Sequence, residues 1–457
     1  MIRYRARYVV PVAAPPIVDG IVAVDGERIA YVGPAAAAPA GRTTDLGYAL
    51  LLPGLVNAHT HLELTAMRGF LEDLDFRSWI LRLTTAKRAV LTRDMLLDAA
   101  RYGIEEGLRH GITTYADTCD TGVVFDAMRE RGVRGIMYQE VFGPDPAQSA
   151  ASLAELREKI DRLKPLETPL VRLGVSPHAP YTVSDELFAA VARYAREANL
   201  PIAIHIAEST LEQDLVVRGE GAFADGLRAR TIPVAPRART PVELLADLDV
   251  LAARPLLIHC VRVDDADIAR IASSHCTVAH CPASNAKLGH GIAPLTDFLE
   301  AGIPVGLGSD SVASNNRMDV LAESRLAALF QRARLGSFSE VSASDAIRLA
   351  TLGGARAIGV DREVGSLEVG KAADLAAFPL DSLGPVHDPL AAAVFGLPGT
   401  RANFVAVAGR ELVRDGVLVG GDAGLEERVQ ASAEALQGWL RTASPSQLPT
   451  GVAARTR

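Results

Sequence analysis

The chain has 457 residues, 49% of them hydrophobic and 22% charged, with a formal net charge of −8. That composition builds a large core, and its acidic balance argues against a nucleic-acid surface, which needs clustered basic residues. The four cysteines, Cys119, Cys260, Cys276 and Cys281, form no Cys-x-x-Cys pair and read as reduced thiols of a cytoplasmic protein.

At the N-terminus, basic residues from Met1 to Arg7 precede an apolar stretch from Tyr8 to Ala14. Pro11, Pro15 and Pro16 interrupt it and Asp19 follows, which argues against a signal peptide. No apolar run reaches the ~18 residues a membrane helix needs, so no membrane partner is expected. Residues 1–49 read as short strands, among them Ile21–Val24 and Arg28–Gly33 around a hairpin turn at Asp25-Gly26. Similar text returns at Asp374–Phe378 and Phe404–Gly409, and neither end has enough strands for a sheet of its own. The two ends are therefore expected to pair into one small β domain, residues 1–49 with 361–420.

Between them, over residues 50–360, short apolar runs alternate with amphipathic stretches of helical period, the pattern of repeated βα units. Eight strands are predicted: Leu50–His59, Gly111–Asp117, Arg134–Val141, Val171–His178, Pro201–His205, Pro255–His259, Cys276–Cys281 and Pro304–Asp310. That count matches a (β/α)8 TIM barrel of the α/β class. An open doubly wound sheet would typically show a Gly-rich first crossover, which Asn57–Leu64 does not offer. Ser184-Asp185-Glu186 and Asp264-Asp265-Ala266-Asp267 read as helix starts. After Gly421 the chain reads as one amphipathic helix, Glu426–Leu440, and then a polar tail expected to be mobile, within a terminal segment 421–457.

Polar residues fall at the strand ends, which a barrel gathers at one mouth. The first strand ends in His59-Thr60-His61, and i, i+2 spacing sets both imidazoles on one face, roughly 7 Å apart along the backbone. His205 closes Ile202-Ala203-Ile204-His205 with Ala203 and His205 inward, and His259 is expected to close Leu256-Leu257-Ile258-His259 in the same manner. His178 ends the fourth strand, and Asp310 the eighth, where inward Gly306 and Gly308 leave room. Imidazoles and a carboxylate converging at one mouth suit a Zn²⁺ site, and Fe²⁺ fits nearly as well. Glu208, three residues beyond His205, must project from the loop past the strand, beside such a metal rather than on it.

The segments Asn57-Ala58-His59-Thr60-His61, His205-Ile206-Ala207-Glu208, the lone His259 and Gly308-Ser309-Asp310-Ser311 resemble the amidohydrolase superfamily. More narrowly they are similar to its mononuclear deaminase branch, which includes the S-adenosylhomocysteine/methylthioadenosine deaminases; the return Gly365–Leu375 is similar too. The resemblance implies His59, His61, His205 and Asp310 as ligands of one divalent metal, Glu208 as proton shuttle and His259 as partner of the hydrolytic water. Binuclear relatives carry a bridging lysine on a barrel strand, but the fourth strand here ends Ser176-Pro177-His178. Glu140 is the one carboxylate placed to bridge, and a structural role fits it equally.

The loop His178-Ala179-Pro180-Tyr181 resembles one that contacts a nucleoside in these deaminases, which makes His178 a binding candidate; Trp79 is a candidate pocket wall. Homocysteine/methylthioadenosine enzymes hold the ribose with a glutamate soon after that Trp, whereas Trp79 to Lys87 contains no acid. The stretches Cys281–Gly291 and Ser311–Asn316, with Leu248–Pro255, look like the aminodeoxyfutalosine deaminases of an alternative menaquinone pathway. Their substrate is an adenine nucleoside with an acidic aromatic tail. Arg82, Arg68 or an arginine of Gly219–Arg239 is the candidate receiver of its carboxylate. S-Adenosylhomocysteine/methylthioadenosine deaminase, guanine deaminase and triazine hydrolases share the motif space. A metal-free barrel scaffold is the non-enzymatic alternative, marked by lost ligands, and none is lost here. The expected partners are a small nucleoside and water, and a homo-oligomer is compatible with the chain.

Overall fold

A computed structural model describes residues 1–443; the predicted mobile tail lies outside the described residues. The two chain ends do share one sheet. Its nine strands run, from one edge, Val417–Leu418, Arg410–Arg414, Phe404–Val407, Leu375–Pro379, Ala49–Pro53, Ile2–Val9, Ile17–Asp25 and Arg28–Pro34, with Arg42–Asp45 also beside Ile2–Val9. The turn at Gly26 (φ +59°) joins Asp25 to Arg28 as a two-residue hairpin, a left-handed position that glycine takes without a Cβ clash.

The single strand read over Leu50–His59 is two. Ala49–Pro53 belongs to the nine-stranded sheet, paired antiparallel to Leu375–Pro379, and Leu55–Thr60 begins the barrel. The break has one local and one tertiary cause: Pro53 lacks an N–H for a ladder, and any Cβ at position 54 would collide with the side chain of Thr113 on the next barrel strand. Sequence patterning cannot see that switch, because both halves are fully buried and the apolar run Leu50–Leu52 resumes at Leu55-Val56.

Barrel strands 1 to 4 (Leu55–Thr60, Ile112–Cys119, Arg134–Val141, Val171–Pro177) form one parallel sheet, and strands 5 to 8 (Ala203–Ile206, Leu256–His259, Thr277–His280, Val305–Leu307) form another. Single parallel bridges, Val175 to Ile202 and Thr60 to Asp310, join the sheets at both seams. Ala58, Ala116, Tyr138, Ala203, Ile258 and Ala279 face the barrel axis, while Ile202, Ile204, Leu257 and Leu307 pack outward against the helix layer. Gly306 and Gly308 do face inward: a Cβ on Gly308 would press on the Cβ of His59 at 2.8 Å.

Two predicted helix starts are capped as expected, Ser184 accepting from the Leu187 N–H and Asp264 forming a capping box with Asp267. The last described helix, Leu425–Thr442, lays Leu425 and Val429 on Ala66 and Ala99 and sends Leu436 into the main core. No described helix is long and apolar enough to cross a membrane.

Candidate metal-dependent active site

The strand-1 histidines reach the mouth by a bulge. The pairing of strand 1 with strand 2 shifts register between Asn57 and Thr60, so Asn57 and Thr60 both turn outward toward Met318 and leave His59 and His61 inside. Outward Asn57 also bonds Ser309 twice, its amide donating to Oγ at 2.7 Å and its oxygen accepting from the backbone N–H at 2.9 Å, which ties strand 1 to strand 8. Across that seam the N–H of Asp310 donates to the carbonyl of His59 at 3.0 Å.

His59, His61 and His205 bring ring nitrogens within 4.8 Å of one another, and His59, His259 and Asp310 form an overlapping set. The donor set fits a divalent cation. A carbonyl can only accept, so Nδ1 of His61 donates to the Thr118 carbonyl at 3.0 Å and Nδ1 of His205 to that of His178 at 3.2 Å. Both rings then offer bare Nε2 lone pairs, which face each other at 3.3 Å, an arrangement that a cation between them relieves. Burial disfavours the protonated rings: it lowers the pKa of His59 and pushes His61 down to about 3 and His205 well below the usual range. Burial pushes the Asp310 carboxyl up, yet His59, His259 and His61 draw it well below the usual range, so it stays ionised. Its Oδ1 lies 3.2 Å from Nε2 of His59, and its Oδ2 accepts from Ser284 at 2.5 Å and Ser314 at 3.2 Å.

His259 reaches the site differently from the sequence expectation. Leu256 and Ile258 face the axis and Leu257 faces out, so strand alternation would turn His259 outward. A left-handed backbone at His259 (φ 76°) and Cys260 (φ 47°) swings the ring back in. Nδ1 donates to the Asn285 side-chain oxygen at 2.9 Å, which leaves Nε2 facing Oε1 of Glu208 at 3.6 Å.

Glu208 stands off the strand, as its spacing requires. Ala207 is left-handed (φ 52°), and the N–H groups of Ala207 and Glu208 both donate to the carboxylate of Glu212, at 2.9 and 2.8 Å. Burial raises Glu212 to about 8. Glu212 is a residue the sequence reading missed; its signal is Ser209-x-x-Glu212, the spacing of a capping box whose acid is diverted here to hold the 207–208 turn. Glu208 is 4% exposed; burial raises its carboxyl, and His259 and His290 outweigh that and hold it below the usual range.

A third cluster, Glu140, His178 and His205, falls within the same 4.8 Å limit. His205 has one free nitrogen and lends it to the first set, so this cluster is not a second complete metal site. His178 donates from Nδ1 to the Thr182 hydroxyl at 2.8 Å, because that hydroxyl spends its proton on the Ala179 carbonyl. Its Nε2 is left as an acceptor near the mouth.

Trp79 sits half-buried on the helix Phe76–Val90, whose first turn carries Phe76 against His290 at 4.5 Å between ring centres. Tyr181 stacks on Phe223 at 4.3 Å, and both meet Phe76 edge-on, so aromatic rings wall this side of the mouth. The far end of the helix is pinned by Lys87 to Glu63 and Asp120. Arg82 lies on the same helix, about 120° round from Phe76, with no ion pair among the described residues and its Nε enclosed without a partner. Arg68 pairs with Glu106, Arg237 with Asp185 and Arg239 with Glu243, so those charges are already met.

The amidohydrolase family model matches residues 50–421. The chain belongs to the amidohydrolase family. Within it the chain is a hydrolase of the deaminase branch. The 5-methylthioadenosine/S-adenosylhomocysteine deaminase of Moorella thermoacetica is 34% identical over 415 residues, covering 89% of this chain and 93% of that protein. An adenosine deaminase of Xanthomonas campestris, solved with bound zinc, is 29% identical with a TM-score of 0.84, covering 96% of this chain and 98% of that one. Atrazine chlorohydrolase of Arthrobacter aurescens TC1, complexed with zinc, is 28% identical with a TM-score of 0.82, covering 95% and 100%. Helicobacter pylori aminofutalosine deaminase, at 21% identity and a TM-score of 0.78 over 90% of this chain and all of that one, shares the fold.

Proposed function

We propose that the protein is a hydrolytic deaminase of an adenine nucleoside, converting the C6 amine to a hypoxanthine product and ammonia. One observation carries this reading: a buried, ionised Glu208 stands beside the ligand cluster, 3.6 Å from His259, without belonging to it. His59, His61, His205 and Asp310 would hold a divalent cation, zinc or Fe²⁺, whose Lewis acidity would lower the pKa of the hydrolytic water. One O–H of that water donates to Nε2 of His259, beside the carboxylate of Asp310, and this orients the oxygen toward C6 while the other faces Glu208. Glu208 takes the water's first proton to the ring nitrogen. It then carries the second to the departing amine, so ammonia leaves as the carbonyl forms.

The 5′ group is inferred to be aromatic and acidic, as in aminodeoxyfutalosine. The aromatic wall of Phe76, Tyr181 and Phe223 favours a flat ring, and the helix Phe76–Val90 carries no acid. The guanidinium of Arg262, three residues past His259, has no ion pair among the described residues, and its Nε is enclosed without a partner. Arg82, likewise without an ion pair among the described residues and with its Nε enclosed and unpartnered, is the other basic group available to such a tail. The Ser284-Asn285 and Ser314 stretches no longer speak to the tail, since they serve Asp310 and His259. A second reading, methylthioadenosine/S-adenosylhomocysteine deaminase, is favoured by the 34% identity to an enzyme of that name.

Ammonia release across adenosine, methylthioadenosine, S-adenosylhomocysteine and aminodeoxyfutalosine, with guanine and a triazine as controls, decides between them. The futalosine reading expects kcat/KM for its substrate to lead by ~10²-fold or more, a margin that Arg262→Leu removes. Equal or better turnover of S-adenosylhomocysteine selects the second reading. Activity on none of the nucleosides overturns both.

A further inference from the structure

His290 lies on the loop after strand 7 and carries no role so far. It is 4% exposed, and its Nε2 lies 3.3 Å from Oε1 of Glu208, closer than His259 does. The N–H is not yet aligned on that oxygen, and a small ring rotation completes the bond. Two further contacts fix where the ring sits. The His290 backbone N–H donates to the carbonyl of Asn285 at 2.8 Å, and Asn285 is the residue that orients His259. Phe76 packs edge-on against the other side of the ring.

The bonding of His259 separates the two imidazoles. Nδ1 of His259 is a donor to Asn285, so in the neutral ring Nε2 is an acceptor and has no proton to give Glu208. His290 is then the side chain within reach that can donate to Glu208 through a ring N–H. One carboxylate oxygen held by such a donor leaves the other directed at the reacting atoms, and a fixed carboxylate spends less freedom reaching the transition state.

We propose that His290 is a positioning residue for the proton shuttle: its Nε2–H holds Oε1 of Glu208, and Phe76 on the mouth helix holds His290. The proposal rests on Glu208 being the shuttle. It predicts a defect in turnover rather than in binding, recovered by a side chain that can donate from the same place.

The test is a series at position 290 in the metal-loaded full chain, with metal content and thermal midpoint measured for each variant. His290→Leu fills the space without a donor and should lower kcat about tenfold or more, with KM within about twofold and metal retained. His290→Gln, whose amide N–H can reach Glu208, should recover most of that loss, and His290→Asn, one methylene shorter, should not. If His290→Leu does not fold, the Gln and Asn pair still separates reach from packing. In the Glu208→Gln background His290→Leu should add no further loss, because the two act as one unit. Wild-type kcat in His290→Leu, equal losses in Gln and Leu, or additive losses with Glu208→Gln overturn the proposal. Normal turnover by Glu208→Gln alone overturns the shuttle reading instead.

Discussion

The two half-barrels build the same mouth by different means. Strands 1 to 4 deliver His59, His61 and His178 on backbone of negative φ at every strand end, using one bulge, the Thr118 carbonyl for His61 and the Thr182 hydroxyl for His178. Strands 5 to 8 deliver Glu208, His259 and Asp310 through left-handed, non-glycine residues: Ala207, His259, Cys260 and Asp310. Such conformations cost of order 1–3 kcal/mol each and survive only where neighbours over-determine them. Here the neighbours are visible: Glu212 on the 207–208 turn, Asn285 on His259, Ser284 and Ser314 on Asp310. The first half places its histidines without leaving ordinary strand backbone. The second places Glu208, His259 and Asp310 against backbone preference.

The largest expected effects separate those two kinds of residue. His59→Ala should lose metal and activity together, read by elemental analysis and ammonia release. Glu208→Gln should keep its metal and still lose ~10²-fold or more in turnover. A Glu208→Gln protein stripped of metal would erase the distinction.

Chelation tests the candidate ligand set, which both halves supply. Wild-type protein should bind one equivalent of divalent metal, since His205 cannot serve two sets, and removing it should lower the thermal midpoint. The stability lost is about 4 kcal/mol for free metal at a thousandfold its Kd. Two equivalents would assign Glu140 and His178 to a second ion.

A smaller effect tests how the second half is held. Asn285→Ala removes the acceptor for His259 Nδ1–H while leaving every ligand in place. It should cost about tenfold or more in kcat with full metal content. An unchanged kcat would show that the left-handed backbone alone aims the ring.

The smallest prediction concerns a second-half histidine that faces the other way. His280 is buried with neither ring nitrogen hydrogen-bonded, and burial pushes its pKa from 6.5 down to about 3. The unfolded chain binds a proton there below pH 6.5 that the folded chain refuses until about 3, so this group removes stability as pH falls through that window. His280→Leu should therefore raise the thermal midpoint, more at pH 5 than at pH 8, with activity retained. A loss of stability would mean that an ordered water satisfies the ring.

The gathering of His59, His61, His205 and Asp310 was legible in the sequence because strand-end position and residue type together suffice for it. His59, His61, His205 and Asp310 each sit where an apolar run stops, and a barrel gathers all such stops at one mouth. Glu208 was legible too, since three residues past a strand end can only be loop. The period-2 and helical patterns likewise determined the βα repeats and the pairing of the chain ends. Only the tertiary structure decided the rest. The split at Pro53-Gly54 depends on Thr113 pressing from another strand, and the turn of His259 depends on a local φ that no residue pattern encodes. Glu212, Asn285, Ser284, Ser314 and His290 act on residues up to 82 positions away or through folded-back turns, and their one-letter identities say nothing of what they touch. Here 82 is the separation of His290 and Glu208, 290 less 208. Patterning determines which residues face inward; which of them meet is settled by packing, where distances of 3 to 4 Å are set by chain segments remote in sequence.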